Sequence, residues 1–533
     1  MKTSDKMVTR PHIKIEVDTF IAEAKLKFED LMGKNDHFFD TEHLKLDLKE
    51  CSVRGGTVTV AAQGVRFFLQ ICSTAVLARL LTPQDYGLIT MVTAVTGFVM
   101  MFKDLGLSMA TVQRAKINHA QISTLFWINV ASSLGLMLVT AALAPAIAWF
   151  YSEPRLTWIT LALASAFIFG GLTVQHQALL RRQMRFGSLA LIQIISTLVG
   201  ILTAIIAAFY GMDYWSLVLM QLVTAITNVI AVWVACGWCP GMPVRRSGVR
   251  KMLAFGGHLT GFNFVNYFSR NADNILIGKF IGTDALGLYA KAYGLFMMPI
   301  SQIRNPLNQV ATPVLSSLQN QPERYVKYYQ RLIDIMATLT IPLTLYCAIE
   351  ADFLIRTILG QQWLGAVPVF RILVIAALIQ PVASTRGLVL ISHGFSGRYF
   401  YLGLFHAILV VVSFSVGLPF GIEGVAAAYA IANYVILIPS LFYCFQETPV
   451  TVSLFMRSLA SPAIAGLLAA ACVIVAKYVG EGDSLLFHGI CLAIFIFIYS
   501  GLSMLRESVR ENVSMILNRA APIRTEKDNG ATK

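Results

Sequence analysis

The chain has 533 residues, 56% of them hydrophobic and only 13% charged, with a formal net charge of +13. A soluble protein of this size cannot hide so much apolar side chain in one core and stay dispersed, so the bilayer is the solvent. The positive balance does not mark a nucleic-acid binder, because Lys and Arg fall in short clusters between apolar runs and not on one soluble domain.

Residues 1–50 are polar and charged, with Phe20, Ile21, Ala24, Phe28 and Leu31 at helical spacing, which predicts a cytoplasmic amphipathic helix. The segment lacks a signal peptide's order of basic start, apolar stretch and small-residue cleavage site, so no removal is expected. An initiation codon set too far upstream is the alternative. Beyond it, apolar runs recur at close to the roughly 20 residues that a helix needs to cross hydrocarbon. They predict an all-α polytopic membrane protein of about fourteen transmembrane helices, at 56–81, 86–108, 122–150, 155–177, 187–210, 213–236, 252–281, 286–308, 331–350, 366–391, 400–418, 422–444, 456–479 and 485–505.

An even number of spans puts both termini on one side. Connections after even-numbered spans hold Arg114 and Lys116, then Arg181, Arg182 and Arg185, then Arg245, Arg246, Arg250 and Lys251, then Arg324 and Lys327. The tail adds Arg506, Arg510, Arg519 and Arg524. These segments are cytoplasmic by the positive-inside rule. The opposite connections are short and acidic, with Asp85, Glu153, Asp213, Asp284, Asp352, Glu423, Glu481 and Asp483.

An internal repeat organises the spans. Ala78-Arg79-Leu80-Leu81-Thr82-Pro83-Gln84-Asp85-Tyr86-Gly87-Leu88 is matched without a gap, 200 positions later, by Gly278-Lys279-Phe280-Ile281-Gly282-Thr283-Asp284-Ala285-Leu286-Gly287-Leu288. Gly55-Gly56 is echoed by Gly256-Gly257. Six spans separate the copies, so they share an orientation and the lobes are expected to be related by an axis along the membrane normal. The implied divisions are the polar segment 1–50, six-helix lobes at 51–240 and 241–447, two additional helices at 448–505 and a basic tail at 506–533.

Gln63, Arg66, Gln70 and Ser73-Thr74 recur every three or four positions in span one, hence on one helical face. At the 200-residue offset, span seven has Asn263, Asn266, Arg270 and Asp273-Asn274. A charge facing lipid costs several kcal/mol on most scales, so these stripes are expected to face a watery interior, where two equivalent stripes would line one cavity. Counting helix rise puts Arg66 and Arg270 near mid-membrane. Lys103, Asp104 and Arg304 fall nearer the inner surface, where Lys103 and Arg304 can snorkel; Lys291, Arg79 and Lys279 read as interfacial anchors. Arg371, Arg386 and His406 are not placed by spacing. A structural reading stays open: buried charges that pin the lobes, or Arg270 neutralised by Asp273 one turn away.

Guanidinium groups pair with phosphates and amides with sugar hydroxyls, so an anionic, sugar-bearing substrate fits Arg66, Arg270, Gln63, Gln70, Asn263 and Asn266, with Arg304 and Lys103 in second rank. Asp273 and Asp104 are the carboxylates that can take up a proton or sodium ion for coupling, although Asp273 reads equally well as the partner of Arg270. Gly-rich phosphate loops, zinc-binding helices and nucleophile elbows are all missing, so no catalytic residue, metal or cofactor is expected. The eight cysteines are scattered, several within apolar runs, and imply no disulfide framework. Cys236-Gly-Trp-Cys239 has redox spacing but lies beside Pro240 with no thioredoxin-like pattern around it.

Leu77-Ala78-Arg79-Leu80-Leu81-Thr82-Pro83-Gln84-Asp85-Tyr86-Gly87-Leu88, Asp104-Leu105-Gly106-Leu107, Val112-Gln113-Arg114, Leu125-Phe126-Trp127-Ile128-Asn129 and Leu359-Gly360-Gln361-Gln362-Trp363 together resemble the polysaccharide transporter family. Within it they are most similar to Wzx-type lipopolysaccharide and exopolysaccharide flippases of the MOP superfamily, in particular the branch exporting colanic-acid-like units. The resemblance covers about residue 46 to the end of the last span and leaves 1–45 uncovered. It implies a bacterial inner-membrane protein that moves undecaprenyl-diphosphate-linked oligosaccharide between leaflets by alternating access, driven by a proton or sodium gradient and associated with a polysaccharide polymerase or co-polymerase. It also implies a cationic cavity for the diphosphate, carried over by charge type onto Arg66 and Arg270 and then Arg304 and Lys103, and a lipid groove at the last two helices. An organic-cation antiporter of the same superfamily fits worse, since cations want a negative cavity, and a membrane polymerase would need a large outer loop.

Overall fold

The computed structural model describes residues 48–100, 102, 108, 111–112, 117–244, 267, 270–480, 484–505 and 510, with side chains from Gly55 onward. The expected amphipathic N-terminal helix and nearly all of the basic tail lie outside these residues. Every regular element among the described residues is helical. The first helices are α1 (Leu48–Leu80), α2 (Pro83–Met100), α3 (His119–Tyr151), α4 (Arg155–Ala164), α5 (Ala166–Arg182), α6 (Phe186–Phe209) and α7 (Tyr214–Cys236). Residues 270–280 form α8. There follow α9 (Thr283–Ser317), α10 (Pro322–Ile349), α11 (Ala351–Ile358), a 3-10 turn (Gln361–Ala366), α12 (Val367–Ala377), α13 (Gln380–Ala383), α14 (Arg386–Ser392), α15 (Ser396–Gly417), α16 (Gly421–Phe445), α17 (Val452–Val479) and α18 (Leu485–Met504).

Among the described residues, nine helical stretches are long and apolar enough to cross a membrane, or ten if the pair Gln361–Ala377 and Gln380–Ser392, bent by 42°, counts as one. This is fewer than fourteen, for three reasons. The stretch Ser396–Phe445 has 50 residues but doubles back: the Phe414 and Tyr429 rings stack 5.4 Å apart across the turn, and Arg398 Nη2 near one end donates to Tyr443 O near the other at 3.0 Å. It is thus an antiparallel helix pair, α15 and α16. The second is α9, which at 35 residues is long enough but carries Lys291, Gln302, Arg304, Asn305 and Asn308, which lower its apolar character. The third is position: α2 reaches Met100, where continuous description stops, and most of expected span seven lies outside the described residues.

The chain divides into two compact units, one of Met1–Ser73, Thr96–Ala148 and Pro154–Asn263, the other of Thr74–Val95, Trp149–Glu153 and Phe264–Lys533. The second therefore includes two pieces that the repeat boundary would leave with the first lobe. In the first unit, Ile122, Leu125 and Phe126 of α3 pack with Leu179 and Leu180 of α5, Ile192 of α6 and Val232 of α7. Beside this core, the buried His176 ring stacks 4.4 Å from Trp233, and its Nε2 lies 3.1 Å from Trp238 O. The Cys236–Cys239 segment is thereby held by the aromatic neighbours of its own Trp238, and all described cysteines are free thiols.

The core of the second unit joins Tyr325, Tyr329, Ile333 and Met336 of α10 to Val389 of α14, Leu441 of α16, Phe455 and Ala469 of α17 and Phe495 of α18. At one edge of this core, the fully buried Glu350 carboxylate accepts from Lys477 Nζ at 3.0 Å and meets His488 Nδ1 at 2.7 Å. The last two helices are thus tied to α10 by charge as well as by packing.

The two copies of the repeated turn meet inside the second unit. A Cβ at Gly87 would stand 1.9 Å from Thr283 O, and one at Gly287 would stand 1.8 Å from Pro83 O. Each glycine therefore lets its helix press on the backbone of the other copy. The helix starts are closed by different chemistry. In α2 the Asp85 carboxylate accepts from Thr82 N at 2.8 Å and from Thr82 Oγ1 at 2.7 Å, whereas α9 is preceded by Gly282 at φ +119°, a conformation that excludes threonine. Gln362 and Trp363 then clamp the end of α1: Gln362 Nε2 donates to Leu81 O at 2.8 Å and Trp363 Nε1 to Ala78 O at 2.7 Å.

Adding a methyl at either contact should cost about 1–3 kcal/mol of stability, as overpacking does in well-packed cores. Gly87→Ala and Gly287→Ala are each expected to lower the thermal midpoint of the detergent-solubilised protein by several degrees. Gly64→Ala, with no atom within 4 Å of the added Cβ, should leave it unchanged or raised. Equal midpoints for all three variants would mean the close approach carries no stability.

Candidate functional site

The stripe of span one becomes part of a cavity. Arg66, Gln70 and Ser73 of α1 line a space of about 620 Å³ in the first unit, together with Thr173 and Gln177 of α5, Thr197 of α6 and Gln221, Thr224 and Asn228 of α7. The size is that of a small-molecule site, roughly 300–1,000 Å³. Among the described residues that line it there is no carboxylate, and Arg66 is the one cation. The guanidinium is steadied by a neighbour that sequence spacing did not single out: Arg66 Nη1 donates to Gln193 Oε1 at 2.7 Å. Across the cavity, Gln177 Nε2 donates to Asn228 Oδ1 at 3.1 Å. Gln63, one turn before Arg66, is half-buried and does not line the cavity.

The second unit holds a more strongly cationic cluster. Arg270 of α8 is exposed, and Arg304 on α9 is half-buried within electrostatic reach of Arg270, Tyr293 and Tyr429. His406 of α15 lies near Asn433 and within electrostatic reach of Arg386 and Arg270. Three tyrosines neighbour one another: Tyr289 and Tyr293 stack 6.5 Å apart, Tyr429 lies near Tyr293, and Gln380 Nε2 donates to the Tyr429 hydroxyl at 2.6 Å. Guanidinium groups beside phenolic hydroxyls suit an anion with several oxygen acceptors.

Asp273 is 6% exposed and is held by two donors, the Tyr289 hydroxyl at 3.1 Å and the Asn274 amide at 2.8 Å. Among the described residues no ion pair joins it to Arg270, so the reading of Asp273 as that arginine's neutralising partner is not what the geometry shows. Asn263, Asn266, Lys103 and Asp104 lie outside the described residues. The expected interfacial anchors are engaged within the protein: Lys291 Nζ sits over the Tyr86 ring, 3.6 Å from its centroid, Arg79 Nη2 donates to Thr357 O at 2.6 Å, and Lys279 Nζ donates to Phe150 O.

Sequence reading missed Gln177, Gln193, Gln221, Asn228, Tyr289, Tyr293, Gln380, Tyr429 and Asn433. For α7 a signal was present, since 221, 224 and 228 follow the three-four spacing of one helical face. Tyr289 and Tyr293, four apart, and Tyr429 and Asn433, four apart, repeat it. Tyrosine in an apolar run reads as membrane filler unless its hydroxyl is known to have a partner.

An all-helical polytopic chain with polar, cationic groups gathered within its helices has the build of a membrane transporter. The solved structures it resembles are of that class. It superposes with a TM-score of 0.69 on the lipid II flippase MurJ in an inward closed conformation, at 13% identity over 86% of this chain and 100% of that one. It also superposes with a TM-score of 0.58 on an inward-facing multidrug resistance MATE family transporter of the MOP superfamily, at 14% identity over 74% of this chain and 96% of that one. The chain belongs to the polysaccharide biosynthesis protein family, whose pattern it matches over residues 76–368. Its relatives include the teichuronic acid biosynthesis protein TuaB of Bacillus subtilis, 27% identical over 62% of this chain and 69% of that protein. The lipopolysaccharide biosynthesis protein WzxC of Escherichia coli is 21% identical over 70% and 76%. The succinoglycan biosynthesis transport protein ExoT of Rhizobium meliloti is 24% identical over 76% and 82%.

A hydrogen bond to a charged group contributes about 1.5–3 kcal/mol, so Tyr289→Phe, which strips one donor from buried Asp273, should destabilise the protein. Asp273→Asn in the Tyr289→Phe background should then cost less than in the wild type. A double-mutant cycle on thermal or chemical unfolding in detergent reads the coupling, and strict additivity would mean that the bond has no energetic weight.

Proposed function

We propose that this protein flips undecaprenyl-diphosphate-linked oligosaccharide repeat units across the bacterial inner membrane for exopolysaccharide or lipopolysaccharide biosynthesis. It does so by alternating access, powered by a proton or sodium gradient. The observation that carries this reading is that Arg270 and Arg304 lie within electrostatic reach of each other and of Tyr293, in a chain from a polysaccharide biosynthesis family. Such a group binds a diphosphate by charge and by several hydrogen bonds at once, and repels the organic cations that a multidrug exporter carries. The names of the relatives support a sugar polymer as the end product, and the fold likeness to a lipid II flippase supports a lipid-linked carrier.

In this reading the membrane is crossed about fourteen times, by lobes at 51–240 and 241–447 and an added helix pair at 448–505, with both termini cytoplasmic. Arg66 and Arg270 hold the substrate first, Arg304 and Lys103 second, with Gln63, Gln70, Asn263 and Asn266 offering amides. Asp273 is the coupling carboxylate: it is buried beside the cationic cluster and not cancelled by Arg270, so a proton or sodium ion arriving there changes the charge seen by the substrate. Asp104 is its alternate. Export to a polymerase or co-polymerase follows from the product's location.

Arg270→Ala and Arg304→Ala are expected to reduce exported polymer at least about tenfold and to leave the lipid-linked precursor in the cytoplasmic leaflet. Unchanged polymer with altered resistance to cationic drugs would replace this reading by that of a cation exporter. Asp273→Asn should remove the dependence of transport on the ion gradient in proteoliposomes; a dependence equal to wild type would take Asp273 out of the coupling step.

A further inference from the structure

Resting on the flippase reading, we propose that the cavity of the first unit is a glycan pocket, which recognises neutral sugar hydroxyls and not the diphosphate. The cavity has a chemistry of its own. Of the described residues that line it, Arg66 alone is charged, and its guanidinium already gives one N–H to Gln193. The remaining polar lining is made of amides and hydroxyls, the groups that both donate to and accept from a sugar's hydroxyls.

The pairing of Gln177 with Asn228 sharpens the assignment. One hydrogen bond of 3.1 Å joins the two amides, and whichever of them donates, the pair retains donors and acceptors side by side. Adjacent hydroxyls on a pyranose ring present the same pattern. Gln70 and Gln221 have no hydrogen-bond partner among the described residues and stand on the wall of the same space. Gln70 is exposed and Gln221 half-buried, so both amides are open to bonding with water or with a hydroxyl-rich ligand that displaces it. Phe169 and Met220 add apolar surface, which suits the C–H faces of sugar rings. Among the described lining residues a single arginine is too little positive charge for a diphosphate, and no carboxylate among them offers an organic cation a partner.

The test uses the full-length protein in detergent and two probes: bare undecaprenyl diphosphate, and the lipid-linked repeat unit extracted from a host strain that accumulates it. Binding is read by native mass spectrometry or thermal-shift titration. Wild type should bind the sugar-bearing lipid more tightly. Gln221→Ala with Asn228→Ala should weaken that binding by at least about tenfold while binding of the bare lipid stays at the wild-type value, which also reports that the variant is folded. Gln221→Met, close to the native volume, serves the same purpose if the double variant does not fold. Equal affinity of wild type for the two lipids, or variants that weaken both probes alike or neither, would overturn the pocket while leaving the flippase intact. Failure of wild type to bind either lipid would overturn both.

Discussion

A polar group inside hydrocarbon has no water to turn to, and this constraint organises the chain. Asp273 is closed off by a tyrosine hydroxyl and a backbone amide. The Oε2 atom of Glu350 is met by Lys477 and His488. Where partners are built in, the group is structural by default. Where amides and guanidinium groups are left to line a cavity, as Gln70, Gln221 and Arg66 do, the missing partner is a solvent molecule or a substrate. That distinction separates the two polar regions from the helix surfaces that face lipid.

The same constraint explains the motif residues. Leu81 and Ala78 end α1 with carbonyl groups that the helix itself cannot satisfy, and Gln362 and Trp363 supply the donors from 281 and more residues away. Arg79, at the same helix end, answers the carbonyl of Thr357. A turn that looks like a local sequence signature is therefore one half of a long-range contact.

Much of the fold was legible because periodicity and run length report the bilayer directly: α3, α6, α7, α17 and α18 lie within a few residues of the expected spans. The α15 and α16 pair, expected as spans 400–418 and 422–444, is two helices separated by a turn at Leu418–Phe420, and α9 runs past its expected span 286–308 at both ends. What the sequence did not disclose were breaks inside spans: 155–177 is divided at Ser165 into α4 and α5, and 366–391 into α12, α13 and α14. For the site, the repeated stripe led to Arg66 and Arg270 because two copies reinforced the signal. Gln193, Tyr289 and Tyr429 were invisible because each acts through a partner on another helix, and pairing across helices leaves no period in one dimension.

The reciprocal contact of Gly87 with Thr283 and of Gly287 with Pro83 bears on ancestry. A contact in which one residue meets a second, and the equivalent of the second meets the equivalent of the first, is the pattern of an isologous interface in a two-fold homodimer. Here it is retained inside a single polypeptide, at positions 200 residues apart. The helix starts around the contact differ, closed by Asp85 in one copy and preceded by Gly282 in the other. The two glycines match, because enlarging either collides with the backbone of the other copy, so the turn carries the reciprocal symmetry that such an interface requires.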